Sequence, residues 1–306
     1  MDKYIEKKIK NQVLTKMIKS FVSESNWELI KACSTFLMMV ADETMEKQKQ
    51  HKGNSCKNRF CPICAWKKAR KDALALSIQM EYIKQEYKKE FIFVTLTAPN
   101  VEAQDLNDEI KKYNDAFQRL MQRKEVRAIA KGYVRKLEVT YNQDRDDYHP
   151  HFHVMIAVNK SYFTAKKQYI KHERWLELWQ EATDNPAITQ VDVRKVRHNN
   201  KKEVAEIAKY SAKDSDYLVS DEVFAVFYQA LKGKRLIVQS GLFKESMKLW
   251  KAGELDKYKE KDMTEYVYKL LYNWGMKEYV LAEQSELTEA ESKELNDQFV
   301  EEREID

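Results

Sequence analysis

Residues 149–156 read HPHFHVMI, and three of the chain's six histidines fall on alternate positions of this run. From Pro150 onward it is apolar apart from the histidines, the composition of a β-strand. Side chains of a strand alternate between faces, so His149, His151 and His153 project one way. Phe152, Val154 and Ile156 project the other way, into a core. Two imidazoles two residues apart, backed by a packed face, are placed to share a metal ion.

A metal needs further ligands, and the preceding segment offers one. VRKLEVTYN (134–142) also reads as a strand, joined to the histidine strand through the polar turn 143–148. A hairpin that pairs Asn142 with His149 sets Thr140 opposite His151 and Glu138 opposite His153. A shift of two residues sets Glu138 opposite His151 instead. Either register leaves Glu138 on the histidine face, one cross-strand step from an imidazole. Two imidazoles and a carboxylate with open positions suit a catalytic divalent ion rather than a closed structural site. A lone histidine would more simply be a hydrogen-bonded surface residue; the spaced pair facing a carboxylate favours the ion.

Working outward, 306 residues allow one large domain or two modest ones, and 43% hydrophobic content supports a core. Six glycines and four prolines argue against a turn-rich β-sandwich or a doubly wound nucleotide-binding fold. The start, MDKYIEKKIKN, does not read as a signal peptide, and the longest apolar run, TFLMMVA (35–41), is too short to span a bilayer. A cytoplasmic protein without a membrane partner is expected. There, four cysteines suggest metal binding or burial rather than disulfides. Net charge is +5, but from Glu278 to Asp306 only Lys293 and Arg303 are basic, so the remaining body is more basic than the total. That imbalance points to a polyanionic partner, although on charge alone solvated helix faces are the simpler reading.

Along the chain, residues 1–31 read as helical, followed by a cysteine-containing region (33–64) and an amphipathic helix from Trp66 to Lys88. FIFVTLTA (91–98) is a strand, 102–130 a helical stretch, and helices are expected near 165–183 and from Lys201. Strands are expected at 188–196 and 235–240. The domain division expected is 1–88 (helical and cysteine-rich), 89–245 (carrying the histidine strand) and 246–306 (an extension with the acidic tail).

Two further constellations carry chemistry. On a helix running from Lys201 to Lys213, Glu206, Tyr210 and Lys213 would stand at i, i+4 and i+7 on one face. A phenol can attack phosphorus when a nearby cation stabilises the developing charge, and a carboxylate can deprotonate a second nucleophile. With 17 tyrosines in the chain this spacing is weak by itself. Cys56, Cys61 and Cys64 form C-x4-C-x2-C, a spacing that presents thiolates to one Zn²⁺. Cys33 is the better fourth ligand, because it completes an all-thiolate set, and His51 is the alternative. Arg59, Trp66, Lys67, Lys68, Arg70 and Lys71 flank the knuckle and could grip phosphates, with Trp66 as a stacking surface.

FVTLTAP, HPHFHV and EIAKYSAK, in this order, resemble the three motifs of the HUH endonucleases, and most closely those of rolling-circle replication initiators of small plasmids from Gram-positive bacteria. The likeness covers most of the chain, including CKNRFCPICAW and KGKRLIVQSGLFKE. It implies an α+β fold: a mostly antiparallel sheet with flanking helices, the two metal-ligand strands adjacent near its centre. It implies that His151 and His153 bind Mg²⁺ or Mn²⁺, with Glu138 as the further polar ligand and His149 as an extra residue. Tyr210 takes the place of the nucleophilic tyrosine that forms a 5′-phosphotyrosine link, and Lys213 lies beside the scissile phosphate. Glu206, one turn before the tyrosine, resembles the glutamate of single-tyrosine initiators that activates water; Tyr217 is read as structural. The implied partners are plasmid origin DNA, single-stranded or extruded as a hairpin, a host helicase and replication machinery, and a second copy in a homodimer. A relaxase or transposase would use the same chemistry, but relaxases place the tyrosine before the histidines. A non-catalytic zinc protein that binds nucleic acid leaves Glu206, Tyr210, Lys213 and the histidine strand without a role. A cupin-like oxygenase also uses H-x-H with a carboxylate, against which speak the scarce glycines and the helices between strands.

Overall fold

The computed structural model describes residues 1–165, 168–197, 201–209 and 211–305. In chain order the elements begin with α1 (Asp2–Met17), α2 (Glu24–Ala32), β1 (Phe36–Ala41), β2 (Gln48–Gly53), α3 (Pro62–Tyr87) and β3 (Lys89–Leu96). Next come α4 (Leu106–Gln122), α5 (Lys124–Ile129), β4 (Gly132–Asn142), β5 (Asp147–Asn159), α6 (His172–Thr183) and β6 (Val191–Lys195). The remainder is α7 (Lys201–Ala208), α8 (Asp214–Tyr217), α9 (Asp221–Leu231), β7 (Ile237–Gly241), α10 (Leu242–Ala252), β8 (Tyr268–Gly275), β9 (Glu278–Glu286) and α11 (Glu289–Leu295). They fall into two compact units, one of Met1–Lys68 with Lys259–Arg303, the other of Ala69–Tyr258 with the last residues from Glu304.

The first unit is built on a four-stranded antiparallel sheet in the order β2-β1-β8-β9. β1 is apolar (FLMMVA) and needs a hydrogen-bonded neighbour on each side; β2 supplies one and β8, from the far end of the sequence, the other. The segment 246–306 is therefore not a separate extension. Residues 268–286 complete the sheet that 36–53 begins, so the units divide the chain differently from the boundaries at 88 and 245. Both edge strands are polar, QKQHKG in β2 and EYVLAEQSE in β9, which discourages pairing with other chains.

The second unit carries a five-stranded antiparallel sheet, β6-β3-β5-β4-β7, with the histidine strand β5 at its centre. Helices cover both faces, which is why β5 is buried almost end to end. Phe152 packs edge-on against Phe117 of α4 on one face. On the other, Met155 and Ala157 join Leu76, Met80 and Ile83 of α3, Val204, Ile207 and Ala208 of α7, and Phe243 of α10. The architecture is thus mixed α+β with two antiparallel sheets and flanking helices, where the sequence suggested one sheet.

The helix expected to run from Lys201 to Lys213 ends at Ala208. Pairing between β4 and β7 stops at Lys136 and Ile237, leaving the outward N–H groups of the next β4 residues in need of acceptors. Leu137 N–H bonds to Leu236 O, Val139 N–H to Ser211 O at 2.8 Å, and Tyr141 N–H to the Asp216 carboxylate. The chain leaves the helix to serve this strand edge. Glu206 and Lys213 consequently do not share one helix face; Lys213 precedes α8 and is exposed.

Candidate metal centres

The β4–β5 hairpin adopts the shifted register, with Glu138 opposite His151, Thr140 opposite His149 and Lys136 opposite His153. On the other side of β5, Thr95 of β3 is opposite His153. Glu138, His151 and His153 are each 8% exposed, and their donor atoms lie within 4.8 Å of one another. The Glu138 Oε2 to His153 Nε2 distance is 3.2 Å, matching the roughly 3.0–3.4 Å between neighbouring ligands about 2.1 Å from one ion. The donor set therefore fits a divalent cation.

Hydrogen bonds fix how the rings are presented. His151 Nδ1 lies 3.1 Å from the carbonyl of His149, which can only accept, so Nδ1 carries the proton and Nε2 offers its lone pair. His153 Nδ1 meets the Thr95 hydroxyl at 3.3 Å, and its ring stacks on Phe93, which directs Nε2 toward the carboxylates. Burial pushes His151 down to about 4, against the pull of Glu138, so this ring is neutral at pH 7. Burial works against an ionised Glu138, yet the Lys136 ammonium and the hydrogen bond with His153 hold its pKa well below the usual carboxylate range.

Glu206 reaches the same place from α7, its carboxylate 3.7 Å from His153 Nε2 and about one-third exposed. Tyr210 lies outside the described residues. The His149 side chain stacks on His151 with ring centroids 5.0 Å apart, beside the cluster. Tyr217 is buried against Phe224 and Phe227, in keeping with a packing role. Sequence reading passed over Lys136 and Thr95. Lys136 is fully buried and donates to Glu138 Oε2 at 2.8 Å and to the Glu206 carbonyl at 2.9 Å. Its position two residues before Glu138, hence on the same strand face, was the available signal.

In the first unit Cys33, Cys56, Cys61 and Cys64 converge, their sulfurs within 4.8 Å of one another. Individual Sγ–Sγ distances are 3.5, 3.6 and 3.7 Å. A regular tetrahedron of sulfurs 2.3 Å from a central Zn²⁺ has edges of about 3.8 Å, so the thiols stand nearly at the spacing of an occupied site. No disulfide joins them. Cys33 takes the fourth corner, and His51, on β2, is not part of the cluster. Pro62 opens α3 directly after Cys61, a position where its missing N–H costs nothing; Cys64 then follows on the first turn. Lys8, buried beneath the cluster, donates to the carbonyls of Lys31 and Cys33, and Asn11 donates to Cys61 Sγ.

Of the residues considered for phosphate contact, Arg59, Lys68 and Lys71 are exposed. Trp66 is only 4% exposed, its ring edge-on to Tyr4 at 5.0 Å; it is a core residue and not a stacking surface. Lys67 is half-buried over the Tyr4 ring, and Arg70 is paired with Glu304.

The fold and these two clusters define a mixed α+β protein with, among the described residues, one cysteine group and one carboxylate–imidazole group that could each hold a metal ion. The chain belongs to the family described as Replication protein, whose model matches residues 47–280. It is 61% identical to Protein rep of Staphylococcus aureus over 220 residues, 72% of this chain and 96% of that protein. It is 32% identical to Protein rep of Bacillus amyloliquefaciens over 287 residues, 83% and 84% of the two chains. With Protein rep of Streptococcus pneumoniae it shares 34% over 227 residues, 72% and 71% of the two chains. No solved structure matches. Among the described residues no helix is long and apolar enough to cross a membrane.

Proposed function

We propose that this chain initiates rolling-circle replication of a plasmid, in the cytoplasm, as a metal-dependent single-strand endonuclease and strand transferase of the HUH type. The observation that carries the reading is the convergence of Glu138, His151 and His153 donor atoms within 4.8 Å, with the Glu206 carboxylate 3.7 Å from His153. His151, His153 and Glu138 would hold Mg²⁺ or Mn²⁺, which when bound polarises the scissile phosphate and holds it for in-line attack. The Tyr210 phenol oxygen forms a bond to phosphorus, giving up its proton to solvent. The bond from phosphorus to the 3′ oxygen breaks, and that oxygen takes up a proton to become the 3′-OH that primes synthesis. Lys213 offsets the charge on the phosphate.

After one round the origin is regenerated, and Glu206 takes a proton from water as the water oxygen attacks its phosphorus; the bond from that phosphorus to the 3′ oxygen breaks, and the freed 3′-OH then attacks the phosphotyrosine, closing the circle and releasing the Tyr210 phenol. The four cysteines hold a structural Zn²⁺, in keeping with the preference of thiolates for that ion. Arg59, Lys68 and Lys71 contact the phosphates of origin DNA, presented as a single strand or extruded hairpin. A host helicase then unwinds the duplex, host replication machinery extends the 3′-OH, and a second copy of the chain can join at the origin. The test is to incubate the protein with a labelled single-stranded origin oligonucleotide and Mg²⁺ or Mn²⁺. Cleavage should require the ion and be lost in His151→Ala and His153→Ala; cleavage that survives both substitutions would exclude this site.

A further inference from the structure

We infer that Lys136 is a positioning residue of the Glu138–His151–His153 centre: it holds the Glu138 carboxylate through Oε2 and ties it to the helix that carries Glu206. The inference rests on reading this cluster as a divalent-ion site. Lys136 is wholly enclosed, so it cannot touch DNA and acts only through its neighbours. Its ammonium sits 2.8 Å from Glu138 Oε2, and the same oxygen is 3.2 Å from His153 Nε2. An Nε2 that faces an ion carries no proton, so of these two contacts the Lys136 ammonium alone donates to Oε2 and fixes the orientation of the carboxylate. The ammonium also donates to the Glu206 carbonyl at 2.9 Å. Glu206 lies in the last turn of α7, where carbonyls lack intrahelical partners and the helix dipole favours a cation. One buried charge thus fixes the carboxylate of β4 and the end of α7 together.

The cost falls on ion binding. A dication entering the site approaches an oxygen that already shares a buried positive charge, and like charges repel strongly where water is excluded. Lys136 therefore keeps the ion loosely held, with positions open for a phosphate oxygen.

Mn²⁺ binding to the full-length protein, followed by electron paramagnetic resonance, reads this without reference to cleavage. Lys136→Met removes the charge and both hydrogen bonds; Lys136→Gln removes the charge and keeps donor groups. Each should bind Mn²⁺ at least about tenfold more tightly than wild type, the scale at which partners of ligating side chains act. General damage to the fold would weaken binding instead. The gain should vanish in a Glu138→Gln background, because the effect runs through that carboxylate. If Lys136→Met fails to fold, Lys136→Gln decides. Unchanged or weaker binding in folded variants, or a gain that persists with Glu138→Gln, overturns the inference. If His151→Ala does not reduce Mn²⁺ binding to the wild-type chain, the ion-site reading itself fails and this inference falls with it.

Discussion

Replacing Cys33 with serine tests the thiolate centre at the corner the sequence left open between Cys33 and His51. Serine keeps the volume and leaves the 1% exposed site filled, so packing changes little and the loss is one metal bond. Three of the sulfur pairs stand 3.5–3.7 Å apart and all lie within 4.8 Å, close to the roughly 3.8 Å edge of an occupied Zn²⁺ tetrahedron, so little binding energy goes into rearrangement. Structural zinc contributes about 10–16 kcal/mol to small domains. Divided over four thiolates this is roughly 3 kcal/mol each, or about a hundredfold in affinity. Competition against a chromophoric zinc chelator measures the loss directly, with elemental analysis of gently purified protein beside it. Cys33→Ser should lose about two orders of magnitude, whereas His51→Ala should bind as wild type. Full affinity in Cys33→Ser, or a loss in His51→Ala, would refute the all-thiolate site.

Three further outcomes follow from the second unit. Glu206→Ala should still nick and form the covalent adduct but release circular product from tandem origins less efficiently; equal loss of both steps in a paired assay would reduce Glu206 to a supporting role. His149→Ala should cost much less activity than His151→Ala, because the contact that fixes the His151 ring is the backbone carbonyl of His149, which alanine retains; comparable loss of Mn²⁺ binding in both would contradict this. Phe152→Ala should destabilise the protein by about 3–5 kcal/mol, since the ring is fully buried between Phe117 and the Arg135 guanidinium; a chemical-denaturation midpoint within error of wild type would show that the strand is not packed as described.

The centre of the second unit was legible because its strands obey a two-residue period. Phe152, Val154 and Ile156 identify β5, and the alternation of β4 placed Glu138 on the histidine face in either register. What remained hidden follows from tertiary demands. The spacing of Glu206 and Lys213 suits a helix, but the N–H groups of Val139 and Tyr141, left without a partner from β7, draw the chain out of it after Ala208. β2 and β9 lack an apolar face because they are edges, so the sheet of the first unit is invisible without the pairing of 36–41 with 268–273. Lys136 was passed over although it shares a strand face with Glu138, because only the folded sheet encloses it beside that carboxylate. Trp66 misleads in the opposite direction: an aromatic among basic residues suggests stacking on bases, but its ring completes the packing around Tyr4.

The central claim, that Tyr210 attacks origin DNA beside the Glu138–His151–His153 centre, is tested most directly by trapping the covalent link. A labelled origin oligonucleotide is incubated with the protein and Mn²⁺, and the adduct is digested and mapped by mass spectrometry. The nucleotide should be attached through its 5′ phosphate to Tyr210 and be absent in Tyr210→Phe, which removes only the phenol oxygen and should bind DNA nearly as wild type. An adduct on another tyrosine, such as Tyr217, or one that persists in Tyr210→Phe, would contradict the account.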